Sequence, residues 1–140
     1  MCPVGWHVPS NTEWIDLIQY LIDNGYNYDG STNTPTSENK IAKALAAATG
    51  WKASINTGAI GNNDYPEKIN ITGFSALPAG YRRYDGAFFD RGEFAYFWSS
   101  SSADADNAHY YVLYYNFDQV DYYYWLKNCG YSVRCIKNTD

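Results

Sequence analysis

Residues 107–135 read NAHYYVLYYNFDQVDYYYWLKNCGYSVRC, and this stretch decides how the second half of the chain folds. Two aromatic and apolar runs, AHYYVLYYNF (108–117) and VDYYYWLK (120–127), are parted by the turn residues FDQ, which is the pattern of antiparallel strands. Eight of the fifteen tyrosines fall inside it. A domain cannot bury that many phenols without a partner for each hydroxyl, so some of the rings are displayed. Displayed tyrosine gives large, stiff, amphipathic contact area at low entropic cost, which points to a binding surface.

Period-two alternation sorts these side chains. With Leu113 inward, Tyr111 and Tyr115 fall on the core side and Tyr110, Val112, Tyr114 and Asn116 outward. With Val120 inward, Asp121, Tyr123 and Trp125 face out. The candidate ligand-binding patch is therefore Tyr110, Tyr114, Asn116, Asp118, Asp121, Tyr123 and Trp125, a mixed aromatic and polar surface suited to a protein or glycan. The competing reading is a sheet whose aromatics pair across strands for stability alone.

Further runs of the same texture, FSALPAGYR (74–82), GAFF (86–89), FAYFWSS (94–100) and YSVRCIK (131–137), read as strands, with YDG and DRG as turns. The first half differs. In VPSNTEWIDLIQYLIDNG (8–25), Ser10 and Glu13 stand in capping-box relation, and Trp14, Leu17, Ile18, Leu21 and Ile22 repeat at helical spacing up to Gly25. SENKIAKALAAATG (37–50) predicts a second helix, with Ile41, Ala44, Leu45 and Ala48 on one stripe and Gly50 ending it. NYDGSTNTPTS (27–37) is a polar surface loop, and residues 51–71 form a long irregular connection. Two helices followed by a strand-rich half indicate α+β.

With 140 residues and 46% hydrophobic composition, the chain fits one domain, residues 1–140. A net charge of −5 and a pI near 4.8 disfavour nucleic acid and anionic membranes, both of which demand a basic patch. No apolar run reaches the roughly 20 residues that span a bilayer, and no signal-peptide core precedes Cys2.

Three cysteines stand at positions 2, 129 and 135. A Cys2–Cys135 bridge would close almost the whole chain and contribute up to about 4–5 kcal/mol in the chain-entropy model. Spacing alone leaves two ordinary buried thiols equally open. Cys129 has no C-x-x-C partner or nearby histidine, so no metal site is expected. The carboxylate groups Asp85, Asp90 and Glu93, Asp104 and Asp106, and Asp118 and Asp121 match no calcium loop and read as a solvated acidic face. No catalytic constellation stands out. His7 reads as a satisfied core residue and His109 as part of the tyrosine-rich surface. Ser99–Ser102 lacks the glycines of a nucleophile elbow and suits local hydrogen bonding at a strand end. Arg134, between Val133 and Cys135, needs a partner if buried.

CPVGWHVPSNTEW (2–14), GFSALPAGYR (73–82), FWSSS (97–101) followed by NAHYYVLYY (107–115), and GYSVRCIK (130–137) occur in an order that resembles the Fibrobacter succinogenes major paralogous domain family, found in secreted and surface proteins of gut Bacteroidetes. The resemblance implies a C-type lectin-like fold of the variety shared with formylglycine-generating enzyme: two helices packed on a twisted antiparallel sheet, with the termini side by side. Adjacent termini favour the Cys2–Cys135 disulfide and hence an oxidising compartment, extracellular or at the cell surface.

The activity of formylglycine-generating enzyme does not carry over, because its pair of active-site cysteines has no counterpart between Cys2 and Cys129. The Glu-Pro-Asn or Gln-Pro-Asp and Trp-Asn-Asp signatures of calcium-dependent lectins are missing too. The same fold carries the variable proteins of diversity-generating retroelements, whose rewritten C-terminal region uses a similar palette of Tyr, Asn, Asp, Ser and His. The implied function is a non-enzymatic recognition module without cofactor, an adhesin or diversified receptor borne on a cell surface, phage or pilus and monomeric as an isolated domain. The alternative is a structural or assembly domain that docks on its parent chain or on sister copies.

Overall fold

Ser10 starts the first helix because its hydroxyl accepts the Glu13 N–H (3.3 Å) while the Glu13 carboxylate accepts the Ser10 N–H (2.8 Å). The computed structural model, which describes residues 1–139, places this helix, α1, at Asn11–Asp23, after a two-residue strand β1 at Trp6–His7. One face of α1 buries Trp14, Ile18, Leu21 and Ile22, as the spacing predicts, and the chain leaves it through Gly25 at a φ of +75°.

The second helix is much shorter than expected. A 3-10 turn at Thr36–Glu38 precedes α2, which covers only Ala42–Leu45. Ala46 is already extended, because Ala47 N–H donates to Ala76 C=O (2.8 Å) and Ala76 N–H to Leu45 C=O (2.9 Å). This pairing between distant segments overrides the helix preference of three consecutive alanines, and Ala48 ends up exposed. Residues 51–71 are irregular as expected, apart from a 3-10 turn at Pro66–Lys68.

The strand-rich half contains β2 (Tyr81–Arg82), β3 (Phe88–Phe89), β4 (Phe94–Ser102), β5 (Asn107–Tyr114), β6 (Val120–Leu126) and β7 (Ile136–Lys137). β4, β5 and β6 form an antiparallel sheet in that order, β2 pairs with β3, and β1 with β7. The runs 74–82 and 131–137 are less regular than expected. They meet β4 mostly through single bridges, Gly80 to Ala95 and Ser132 to Phe97, which extend the sheet beyond β4. Gly80 sits at φ +65°, and a Cβ there would lie 1.9 Å from the Phe89 carbonyl, so only glycine fits against the end of β3 at this point.

α1 lies on the inner side of the sheet. Trp14 stacks on Tyr111 at 4.8 Å between ring centroids, with Phe97 and Phe74 at 6.0 and 6.1 Å. The Tyr111 hydroxyl donates to Asn11 C=O at the start of α1 (3.3 Å), which satisfies the buried phenol. Ser101 Oγ accepts the Asn11 N–H and Pro9 C=O accepts the Ser100 N–H, so the serine run fastens the strand end to the entry of α1. The outward orientation of Val112 holds, although not its exposure, whereas the inward orientation of Tyr115 needs correction. Val112 lies on the outer side but is buried, surrounded by Tyr110 and Tyr114 along the strand, Tyr96 on one side and Asp121 on the other. Tyr115 falls past the end of β5, half-exposed under the Lys52 ammonium, not in the core.

The chain ends meet. Cys2 and Cys135 are disulfide-bonded with their Cα atoms 5.8 Å apart, and β1 pairs with β7 beside them. His7 is not a core residue as expected. Its ring is half-exposed and spans Asn138 Oδ1 (2.6 Å) and Glu13 Oε1 (2.7 Å), joining the C-terminal segment to the cap of α1. Those hydrogen bonds, first to Asn138 and then to Glu13, raise its pKa. Arg134 finds its partners in Phe74, donating to the carbonyl (2.6 Å) and lying over the ring at 4.3 Å.

A Cys2→Ser/Cys135→Ser variant is expected to lose stability by up to about 4–5 kcal/mol, the chain-entropy value for a loop that spans nearly the whole chain. Urea unfolding of the oxidised protein and the variant measures it, and an unchanged midpoint would show that the other terminal contacts suffice.

Candidate binding face

The outer side of the sheet is aromatic because alternate residues on each strand are. β4 contributes Phe94, Tyr96 and Trp98, β5 contributes Tyr110 and Tyr114, and β6 contributes Tyr123 and Trp125. Across the strands Trp98 pairs with Tyr110, and Tyr110 with Tyr123. Tyr131 fills the space above Trp98, Tyr96 and Tyr110, with centroids at 4.3, 4.9 and 4.9 Å, and Tyr81 adds an edge to both Tyr96 and Tyr131. These rings interlock from β2 to β6 in stacked, tilted and edge-on geometries.

The seven predicted residues separate by position. Tyr110 and Tyr114 are half-buried members of the interlocked cluster. Asp121, Tyr123 and Trp125 sit together on the outer side of β6, with Tyr123 and Trp125 each about half exposed (51% and 50%). Asn116 and Asp118 lie in the turn between β5 and β6 rather than on the strand face, where Asn116 C=O accepts the Asn56 amide and Asp118 C=O accepts the Ala42 N–H. The strand count missed Tyr96, Trp98 and Tyr131 as parts of this surface. The β4 residues were available to the same period-two count, whereas Tyr131 reaches the face through a long-range bridge that no local pattern announces.

Tyr122 and Tyr124 are the other departure. By alternation they lie on the inner side, yet they are 53% and 59% exposed. The rings of α1 that meet the sheet do so at Phe97 and Tyr111, on β4 and β5, and β6 extends past them. Tyr122 stacks on the buried Tyr111 at 5.6 Å and Tyr124 meets the half-buried His109 ring edge-on at 6.0 Å, so a more enclosed ring holds each exposed one.

The phenols of the cluster remain protonated. Burial raises the pKa of Tyr110, pushes Tyr111 up to about 12 and raises Tyr114 further, with the Asp121 charge adding to the effect on Tyr114. Tyr96 is raised by burial and by the hydrogen bond that its hydroxyl donates to Asp90 (2.8 Å). On β6 and the turn before it, the charge comes from Asp121 and Asp118. Burial raises both carboxyls, outweighing the backbone hydrogen bond and Lys40 at Asp118 and the Gln119 amide at Asp121 (2.6 Å).

Elsewhere, a hollow of about 230 Å³ is lined by Lys43, Trp51 and Asp64 among others. Lys43 is only 1% exposed, and its ammonium is fully occupied by Asn62 C=O (2.9 Å), Asp64 C=O and the Asp64 carboxylate (2.6 Å). Burial opposes ionisation of Asp64, but Lys43 and the Gly58 N–H outweigh it and hold its pKa below the usual value. The pair is a structural clamp between α2 and the irregular connection, with no N–H of the Lys43 ammonium left for chemistry. Cys129 is buried as well, which withholds its thiol from a substrate.

An α+β domain with covalently joined ends and an aromatic platform on its C-terminal hairpin is thereby defined. The chain belongs to the Fibrobacter succinogenes major domain family, whose model matches residues 1–137. No curated protein and no solved structure matches it. Among the described residues, no helix is long and apolar enough to cross a membrane.

Because the folded-state pKa values of Asp118 and Asp121 lie above their ordinary value, each carboxylate weakens the native state as pH rises from its unfolded pKa through its folded one. Asp118→Asn and Asp121→Asn are therefore expected to raise the thermal midpoint at pH 7, the gain vanishing below about pH 4. Thermal scans from pH 3.5 to 7 test this, and a gain of equal size at both ends would contradict it.

Proposed function

We propose that the chain is a non-enzymatic recognition module of C-type lectin-like fold that binds a protein or glycan through the outer face of β5 and β6. The reading rests on one observation: Tyr123 and Trp125, half exposed beside Asp121, stand next to an interlocked layer of Tyr96, Trp98, Tyr110, Tyr114 and Tyr131. A ring supported in this way loses little freedom on binding, so its contact area becomes affinity at low entropic cost. The protonated Tyr110 hydroxyl is available as a donor, and Asp121 supplies an acceptor on the same face. Stacked aromatic faces and hydroxyl groups suit sugar rings as well as polypeptide, and both belong to the proposed ligand class.

The roles divide accordingly. Tyr123 and Trp125 make contact, Asp121 and Asp118 fix polar partners, and Tyr110 and Tyr114 hold the platform while contributing their edges. Asn116 lies at the turn and extends the surface toward residues 53–56. The Cys2–Cys135 disulfide supports a working place outside the cytoplasm, at a cell surface or on a phage or pilus. An adhesin or a diversified receptor fits this description, since the contact residues lie on β6 and its turn while the core rings lie elsewhere.

A Tyr123→Ala/Trp125→Ala variant is expected to lose binding at least tenfold to any ligand that the wild-type protein captures from a glycan and protein array, with its fold intact by circular dichroism. Unchanged binding to every such ligand would reject the platform. Tyr110→Ala should lower stability and binding together, because it removes a ring that touches Tyr96, Trp98, Tyr123 and Tyr131.

A further inference from the structure

β6 is the outer strand of its sheet, and its free edge is open over a short window. Val120 donates its N–H to Asn39 Oδ1 (2.9 Å) and accepts the Asn39 Nδ2 amide at its carbonyl (2.9 Å), so both groups point away from β5. Alternation turns the N–H and C=O of Tyr122, Tyr124 and Leu126 the same way. The far side of the sheet agrees with this phase, since Phe94 C=O and Tyr96 C=O accept from Gly80 and Ser132 beyond β4. At the other end of β6, Leu126 C=O accepts the Cys129 N–H (3.2 Å). Among the described residues, no other segment reaches the N–H or C=O of Tyr122 or Tyr124. Between a side chain that mimics a strand and a turn, the N–H and C=O of Tyr122 and Tyr124 stay unpaired, as does the Leu126 N–H.

Of the usual protections of an edge, these seven residues carry only the charge of Asp121. β6 holds no proline, glycine or lysine, and the sheet's one irregularity lies in β4, between Trp98 and Ser102. Its four central side chains, Tyr122 to Trp125, are all about half exposed, on both sides of the sheet. Recognition by the outer face uses Tyr123 and Trp125 but leaves Tyr122, Tyr124 and the open backbone groups without a role.

We propose that the open edge of β6 pairs antiparallel with the same edge of a second copy of the chain, about a two-fold axis at Tyr123. That register places Tyr122 opposite Tyr124 of the other copy, and Tyr124 opposite Tyr122, so the N–H and C=O groups of these two residues find partners in four hydrogen bonds. The charges agree with it. Asp121 falls opposite Trp125, so no like charges face each other in the paired window, which stops short of Val120, where Asn39 already holds the edge. The inner-side rings form two Tyr122–Tyr124 pairs, and Tyr123 meets its own counterpart on the outer side. The result is one six-stranded sheet whose outer aromatic face runs unbroken through both copies.

The association is weak. Covering the exposed halves of four rings on each copy removes roughly 800 Å² in total, below the 1,200 Å² at which standard interfaces begin. The dimer therefore forms at high concentration or where copies are crowded on a surface.

Sedimentation equilibrium of the oxidised wild-type chain, up to about 1 mM, is expected to show concentration-dependent conversion from 15.9 kDa to twice that mass. Tyr124→Pro removes a donor from the free edge while sparing the ladder to β5, and should stay monomeric throughout. Tyr123→Lys and Tyr123→Glu should each be monomeric alone and form a one-to-one dimer when mixed, which only a register centred on residue 123 predicts. A wild type that stays monomeric, a Tyr124→Pro dimer, or a Lys and Glu pair that fails to associate overturns the proposal, even if the edge then takes an unrelated extended peptide. Array binding by the Tyr124→Pro monomer is expected to persist, so failure of the dimer and failure of the recognition reading are separable.

Discussion

The stack of Trp14 on Tyr111 is the contact on which the rest of the molecule depends. One ring comes from the first turns of α1 and the other from the middle of β5, so a single aromatic pair fixes the helix on the sheet. Because Tyr111 points inward, its neighbours Tyr110 and Val112 must point outward, and the antiparallel partners follow in step. The Tyr111 hydroxyl, bonded to the backbone at the start of α1, leaves no cheap alternative register. A slip of one residue would bury Tyr110 without that acceptor and turn the whole outer aromatic layer toward the helix.

The outer layer shows how one residue type can serve two ends. Tyr96, Tyr110, Tyr114 and Tyr131 are packed against one another, and desolvation holds their phenols in the neutral form. Tyr122, Tyr123 and Tyr124 lie one strand further out and remain half exposed. Chemistry is common to both groups, and position relative to covering segments separates them. The structural and recognition readings of a tyrosine-rich sheet are therefore complementary here: a layer of buried rings stiffens the layer that solvent reaches.

Much of this was legible in the sequence where the physics is local. The reciprocal Ser10–Glu13 cap and the apolar repeat to Ile22 define α1, and the alternation around Leu113 and Val120 gives the phase of β5 and β6. The failures share a cause. Ala46–Ala48 carries strong helix preference yet is drawn into pairing with Ala76, a segment thirty residues away in the chain. His7 is held at the surface by Asn138, and Tyr131 enters the platform because Ser132 bridges Phe97. Exposure of Tyr122 and Tyr124 depends on how far α1 reaches across the sheet. None of these follows from a neighbour in sequence, so periodicity could assign faces without saying what covers them.

The joined termini also have a mechanical meaning. Residues 2 and 135 are tied covalently, and β1 and β7 lie paired beside that tie. Tension applied at the two ends passes through the Cys2–Cys135 bridge and bypasses the intervening 133-residue separation along the chain. The sheet that carries the aromatic face is outside that load path. While the bridge is intact, pulling on the ends cannot draw β4, β5 and β6 apart, so the platform keeps its shape under a force that would unravel an unbridged domain.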